Sequence, residues 1–170
     1  MKRVFWFIPL LMALGLAAGL SACGGDSGPT STGGAGGVSG TVTFIGGWPA
    51  GGNVQVSIYS NLAAPGFVPT GPPDAFTNPI ASGLTQYAYT LPGLDEGTYA
   101  GVLVSWRDPA NPSGAKLLGM YWIYPDSVAI NTSGPDAGTA KSPGPTPIII
   151  NSAQLKHTGL NITADLDIVP

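Results

Sequence analysis

A single cysteine and a single histidine stand among 170 residues. One cysteine leaves no partner for a disulfide within the chain. One cysteine and one histidine also exclude metal sites built from several thiolates or imidazoles, and most nucleophile–base constellations. Charge is scarce as well, with six Lys and Arg against nine Asp and Glu. Without a basic patch there is no electrostatic footprint for nucleic acid. No window carries a sustained 3.6-residue apolar period, which excludes a helical fold. Glycine (26) and proline (17) are instead abundant, and they punctuate many short apolar runs. That pattern predicts an all-β domain.

The first residues read as an export signal. Met1-Lys2-Arg3 is a basic start, residues 4–20 are apolar apart from Pro9, Gly15 and Gly19, and small residues follow. The apolar run, about 17 residues, lies at the lower limit for spanning a bilayer, so its ending decides its fate. That ending, Leu20-Ser21-Ala22-Cys23, resembles the lipobox of bacterial lipoproteins: an aliphatic residue, two small ones, then the acceptor cysteine. The resemblance implies cleavage between Ala22 and Cys23 and covalent lipid on Cys23. It also accounts for a lone thiol in an exported chain, and the lipid makes the membrane the first expected partner. A single acyl chain anchors only marginally, whereas the several chains expected on such a protein anchor stably. By resemblance to the enterobacterial sorting rule, Gly24 rather than Asp after the cysteine implies the outer membrane in a host with two membranes.

Three segments are expected: a signal peptide over 1–22, the lipidated cysteine and a tether over 23–37, and one β-domain over 38–170. The tether is Gly, Ser and Thr with no large apolar residue, so it cannot offset its ordering entropy. As a random coil of about 14 residues it spans roughly 20 Å. Within it, Gly25-Asp26-Ser27-Gly28-Pro29 resembles the nucleophile segment of trypsin-like proteases. Its serine lies in a flexible linker far from His157, without the scaffold that chemistry needs. Cleavage removes Lys2 and Arg3, leaving Arg107, Lys116, Lys141 and Lys156 against nine acidic residues.

Alternation predicts seven strands. Val38, Gly40, Val42 and Phe44 share one face of the first, and Val54, Val56 and Ile58 one face of the second. Residues 61–79 read as an irregular loop. Tyr87, Tyr89 and Leu91 line the third strand, which Pro92-Gly93 should end. Residues 98–106 form the fourth, with Ala100, Val102, Val104 and Trp106 together, and residues 107–114 a polar loop. The fifth, about 115–124, is apolar on both faces and so expected to be central. A second loop, 125–145, precedes Ile148-Ile149-Ile150. In the last strand Leu160, Ile162, Ala164, Leu166 and Ile168 point inward, and Asn161, Thr163, Asp165 and Asp167 outward. The expected fold is a single seven-stranded antiparallel β-sandwich, transthyretin-like or immunoglobulin-like.

Val38-x-Gly40-x-Val42, an apolar strand, and then Tyr89-x-Leu91-Pro92-Gly93-Leu94-x-x-Gly97-Thr98-Tyr99 resemble the carboxypeptidase regulatory-like, or transthyretin-like, β-sandwich. In that family the tyrosine of such a corner packs back on the turn. The resemblance implies a non-catalytic module of cell-surface and periplasmic proteins.

No catalytic residue, metal site or cofactor beyond the lipid is expected. His157, between strand segments, reads as a solvated turn residue. Asp95 and Glu96 are neighbours in a turn and diverge. Asp165 and Asp167 share a strand face, which suits either an exposed polar edge or two of the several oxygens a calcium ion needs. Aromatics offer the better alternative, since their amphipathic rings suit sugars and peptides. Trp106 reads as core. Trp48, in the turn Gly47-Trp48-Pro49, either caps the sandwich or is an exposed contact. Trp122 and Tyr124 share a face opposite Tyr121. The first expectation is therefore a non-enzymatic structural or accessory lipoprotein. The alternative is a carbohydrate- or peptide-binding lipoprotein using Trp48, Trp122 and Tyr124, with a glycan or envelope protein as partner and the loops 61–79 and 125–145 as places for a site.

Overall fold

The computed structural model describes residues 34–169. The signal peptide, Ala22, Cys23 and the tether through Gly33 therefore lie outside the described residues. In chain order the strands are β1 (Gly36–Ile45), β2 (Asn53–Tyr59), β3 (Leu62–Ala63), β4 (Val68–Pro69), β5 (Ala75–Phe76), β6 (Gln86–Leu94), β7 (Gly97–Tyr99), β8 (Gly101–Asp108), β9 (Asn111–Met120), β10 (Ile148–Ile150), β11 (Lys156–His157) and β12 (Ile162–Asp165). A 3-10 turn, Leu166–Ile168, follows. The described chain is thus almost wholly β, arranged in several sheets.

The first large sheet is built around β1, which pairs antiparallel with β6 along one edge. On its other edge β11 meets Gly37 and Val38, and β12 meets residues 42–45, both parallel. The second large sheet has the order β5-β2-β8-β9. Two small sheets complete the fold, β7 with β10 and β3 with β4.

Alternation places one face of each large sheet in a shared core. Val38, Val42, Leu91 and Ile162 come from the first sheet and Val56, Ile58, Val104 and Leu118 from the second, all buried. Fully burying such a side chain stabilises by about 1.5–3 kcal/mol. The back of the second sheet carries another core. Tyr59, Leu103, Met120 and Trp122 pack there against Ala129 and Ile130 from the segment after β9. Loop 125–145 is therefore a cover for a second apolar face.

That second core corrects the expected strand order. The fifth strand reads as central because it is apolar on both faces, yet β9 hydrogen-bonds only to β8 and ends its sheet. Its apolar faces serve two cores, Leu118 one and Met120 the other. The antiparallel expectation fails along β1, whose β11 and β12 partners are parallel. Residues 61–79 are not an irregular loop: β3 and β4 form a hairpin, and β5 pairs with β2. The polar loop at 107–114 closes instead to a tight turn across Asp108 and Asn111, where Asp108 Oδ1 accepts from the Ala110 N–H at 2.9 Å. Pro92-Gly93 does not end β6. Gly93 takes φ +76° at a register shift opposite Gly36 and Gly37, a bulge that lets the strand continue to Leu94. β1 itself begins two residues before the expected boundary, because Gly36 has no Cβ to meet the Leu94 carbonyl beside it in the ladder.

Candidate functional site

Trp48 closes one end of the shared core. Its ring tilts onto Phe44 at 4.9 Å between centroids, and its Nε1–H donates to the Leu84 carbonyl at 2.9 Å. The turn beneath it is held from the far end of the chain. Gly46 has φ +81° and lies so close to Asp167 that a Cβ would meet its carboxylate at 2.6 Å. The Gly47 N–H donates to Asp167 Oδ1 at 2.8 Å. Trp48 is thus a cap with its one donor satisfied, half-buried rather than presented.

Asp165 departs from the outward face expected of it. It is 8% exposed, and its Oδ1 accepts from the Asp167 N–H at 3.0 Å, capping the 3-10 turn that ends the last strand. The two carboxylates are therefore occupied with backbone amides in different places, Asp165 with its own turn and Asp167 with Gly47. Among the described residues no three His, Cys, Asp or Glu side chains gather as metal ligands.

Trp122 is buried, at 5% exposure, and donates to the Ser127 carbonyl at 3.2 Å. Its ring meets Tyr124 edge-on, 5.1 Å between centroids and 83° between planes. Tyr124 itself is 54% exposed. The shared face expected of this pair is real as a contact, but only Tyr124 opens to solvent, and Trp48 packs on the other core. Trp106 is half-buried and donates to the Gly51 carbonyl at 2.8 Å.

The tyrosines at the centre of the fold are structural. Tyr89 is buried and donates to the Leu160 carbonyl at 2.6 Å. Burial, with a smaller contribution from Tyr121, holds its phenol well above the ordinary range. Tyr99 donates to the Asp95 carbonyl at 3.0 Å, back across the corner. Its pKa is also raised, first by burial and then by Asp74 and Asp95, against the lowering effect of that hydrogen bond.

No protein-family model, curated protein or solved structure matches the chain.

Open depressions mark the surface of the described residues, among them two that adjoin. A groove of about 470 Å³ is lined by Leu62, Phe67, Ile123 and residues 143–147. Phe67 holds φ +54°, and its ring covers Gly144, where a Cβ would lie 2.1 Å from Cζ. A cleft of about 380 Å³ adjoins it, sharing Thr146 and Pro147. This cleft carries the hydrogen-bonding side chains of Tyr121, Asn151, Gln154 and His157, beside Ile148 and Leu160. His157 is a half-buried member of β11 rather than a solvated turn residue. Its Nδ1 lies 3.3 Å from Gln154 Nε2, and its Nε2 lies 2.9 Å from the Ile149 carbonyl. Sequence reasoning passed over Asn151 and Gln154. Their one visible signal is an Asn three residues before a Gln, which closes a turn when the Asn oxygen accepts from following amides.

Proposed function

We propose that the protein is a lipid-anchored component of the bacterial cell envelope whose β-domain has a structural or accessory role and catalyses no reaction. Leu20-Ser21-Ala22-Cys23 after a basic start and an apolar run is the observation that carries this reading. Cys23 is the only thiol, and lipidation gives it a use. The side chains that chemistry would first draw on have other work. Asp165 and Asp167 hold backbone amides, and His157 braces β10.

We further read the domain as a seven-stranded sandwich of the transthyretin-like kind, with β1, β2, β6, β8, β9, β10 and β12 as its principal strands. Support comes from the corner Leu91-Pro92-Gly93-Leu94 through Tyr99, where the tyrosine bonds back to Asp95 as that family's corner does. The parallel β1–β12 seam departs from a purely antiparallel form.

The mass of the N-terminal peptide from detergent-extracted protein tests the anchor. A lipid-modified Cys23 at the N-terminus is expected. An unmodified Cys23, or a peptide still carrying residues 1–22, contradicts it. The alternative, a ligand gripped by exposed aromatics, retains one open ring of its three, Tyr124.

A further inference from the structure

We propose that the cleft between Tyr121, Asn151, Gln154 and His157 binds a neutral carbohydrate. The site is separate from the aromatics that sequence alone singles out, and it does not depend on the anchor.

Its polar side chains are held in a fixed series. Asn151 Oδ1 accepts from the Ala153 N–H at 3.0 Å and the Gln154 N–H at 2.9 Å. The Gln154 amide nitrogen can only donate, so His157 Nδ1 accepts from it at 3.3 Å. The imidazole proton then belongs on Nε2, which donates to the Ile149 carbonyl at 2.9 Å. This assignment, made from the bonding pattern, uses both ring nitrogens. Side chains locked by their own neighbours make a preorganised site.

These bonds use the oxygen of Asn151 and one of the two N–H donors of Gln154. The Asn151 Nδ2 donors, the second Gln154 N–H and the Gln154 Oε1 acceptor remain, on two exposed residues. A donor beside an acceptor suits adjacent sugar hydroxyls, each of which both donates and accepts. Tyr121 and the exposed Ile149 give apolar surface for the C–H face of a sugar ring. No Asp, Glu, Lys or Arg lines the cleft, so a charged ligand finds no counter-ion there. At about 380 Å³ it lies in the range of small-molecule sites.

Titration of the full chain in detergent micelles with the methyl glycosides of glucose, galactose and mannose tests this, read by the side-chain amide NMR signals of Asn151 and Gln154. At least one glycoside is expected to shift both signals saturably, with a Kd on the order of millimolar. Asn151→Asp keeps an oxygen for the Ala153 and Gln154 amides but loses the donors. It is expected to weaken binding about tenfold at an unchanged melting temperature. The proposal fails if no glycoside gives a saturable shift, or if Asn151→Asp binds as well as the parent. It also fails if the shifts appear at Trp48 or Tyr124 instead, or if the neutral tripeptide Gly-Pro-Ala binds where the glycosides do not. None of these outcomes bears on Cys23.

Discussion

Tyr89 stands directly across the ladder from Gly40, and its hydroxyl reaches the Leu160 carbonyl that lies against that glycine. A Cβ on Gly40 would meet the Leu160 oxygen at 2.2 Å. The missing side chain thus lets the chain before β12 approach β1 closely enough for the parallel seam to form. The tyrosine from the opposite strand then satisfies the carbonyl that has been buried. Glycine, tyrosine and carbonyl act as one unit joining three strands.

Gly40→Ala is therefore expected to destabilise the domain by about 3 kcal/mol, the upper end for overpacking, because the atom in the way is backbone and cannot rotate aside. Gly51→Ala, where nothing lies within 4 Å of the added carbon, should stay within about 0.5 kcal/mol. Urea denaturation of both variants checks the contrast. Equal midpoints would contradict it.

Tyr89→Phe leaves the Leu160 carbonyl buried and unpaired, at an expected cost of about 1–2 kcal/mol. The phenol also predicts a pH dependence. Its folded pKa is raised above the ordinary value of 10.0, chiefly by burial, so the folded state holds the proton more tightly than the unfolded chain. That stability is fully present below about pH 10 and is lost as pH rises further. Tyr99 acts in the same direction. Urea midpoints are expected to be level from pH 8 to about pH 9.5 and to fall above it, less steeply in Tyr89→Phe. A parent midpoint that does not fall above pH 10 would overturn this.

How much of this was legible depended on what each strand buries. Val38, Val42 and Phe44 in β1, and Val54, Val56 and Ile58 in β2, alternate because one face of each meets a single core, and the sequence pattern reads directly. In β8 and β9, Val104 and Leu118 serve one core while Leu103 and Met120 serve another. Alternation vanishes there, and an end strand imitates a central one. Strands of two residues, such as β3 and β5, are too short to show any period. Asp165 fits the outward register of its strand until the chain tightens into a 3-10 turn and draws the carboxylate inward as a cap. Of the candidate aromatics, Trp48 was legible as an end cap. The pinned amides of Asn151 and Gln154 carried no pattern that reasoning from composition would weigh.

The two rings in contact behind the second sheet should separate sharply by mutation. Trp122→Ala removes a buried side chain and its bond to Ser127, at an expected cost of about 3–5 kcal/mol. Tyr124→Ala removes a ring that is mostly in solvent and should cost about 1 kcal/mol or less, the worth of the edge contact. Thermal unfolding of the two variants measures this. A larger loss from Tyr124→Ala would place the core elsewhere.

The anchored-lipoprotein account rests on Cys23, and one substitution tests it directly. Cells fed a labelled fatty-acid analogue should incorporate it into the parent chain as a processed, membrane-bound product. In Cys23→Ser the label should vanish and the unprocessed precursor should accumulate. Persistent labelling with a product of mature size would contradict the account.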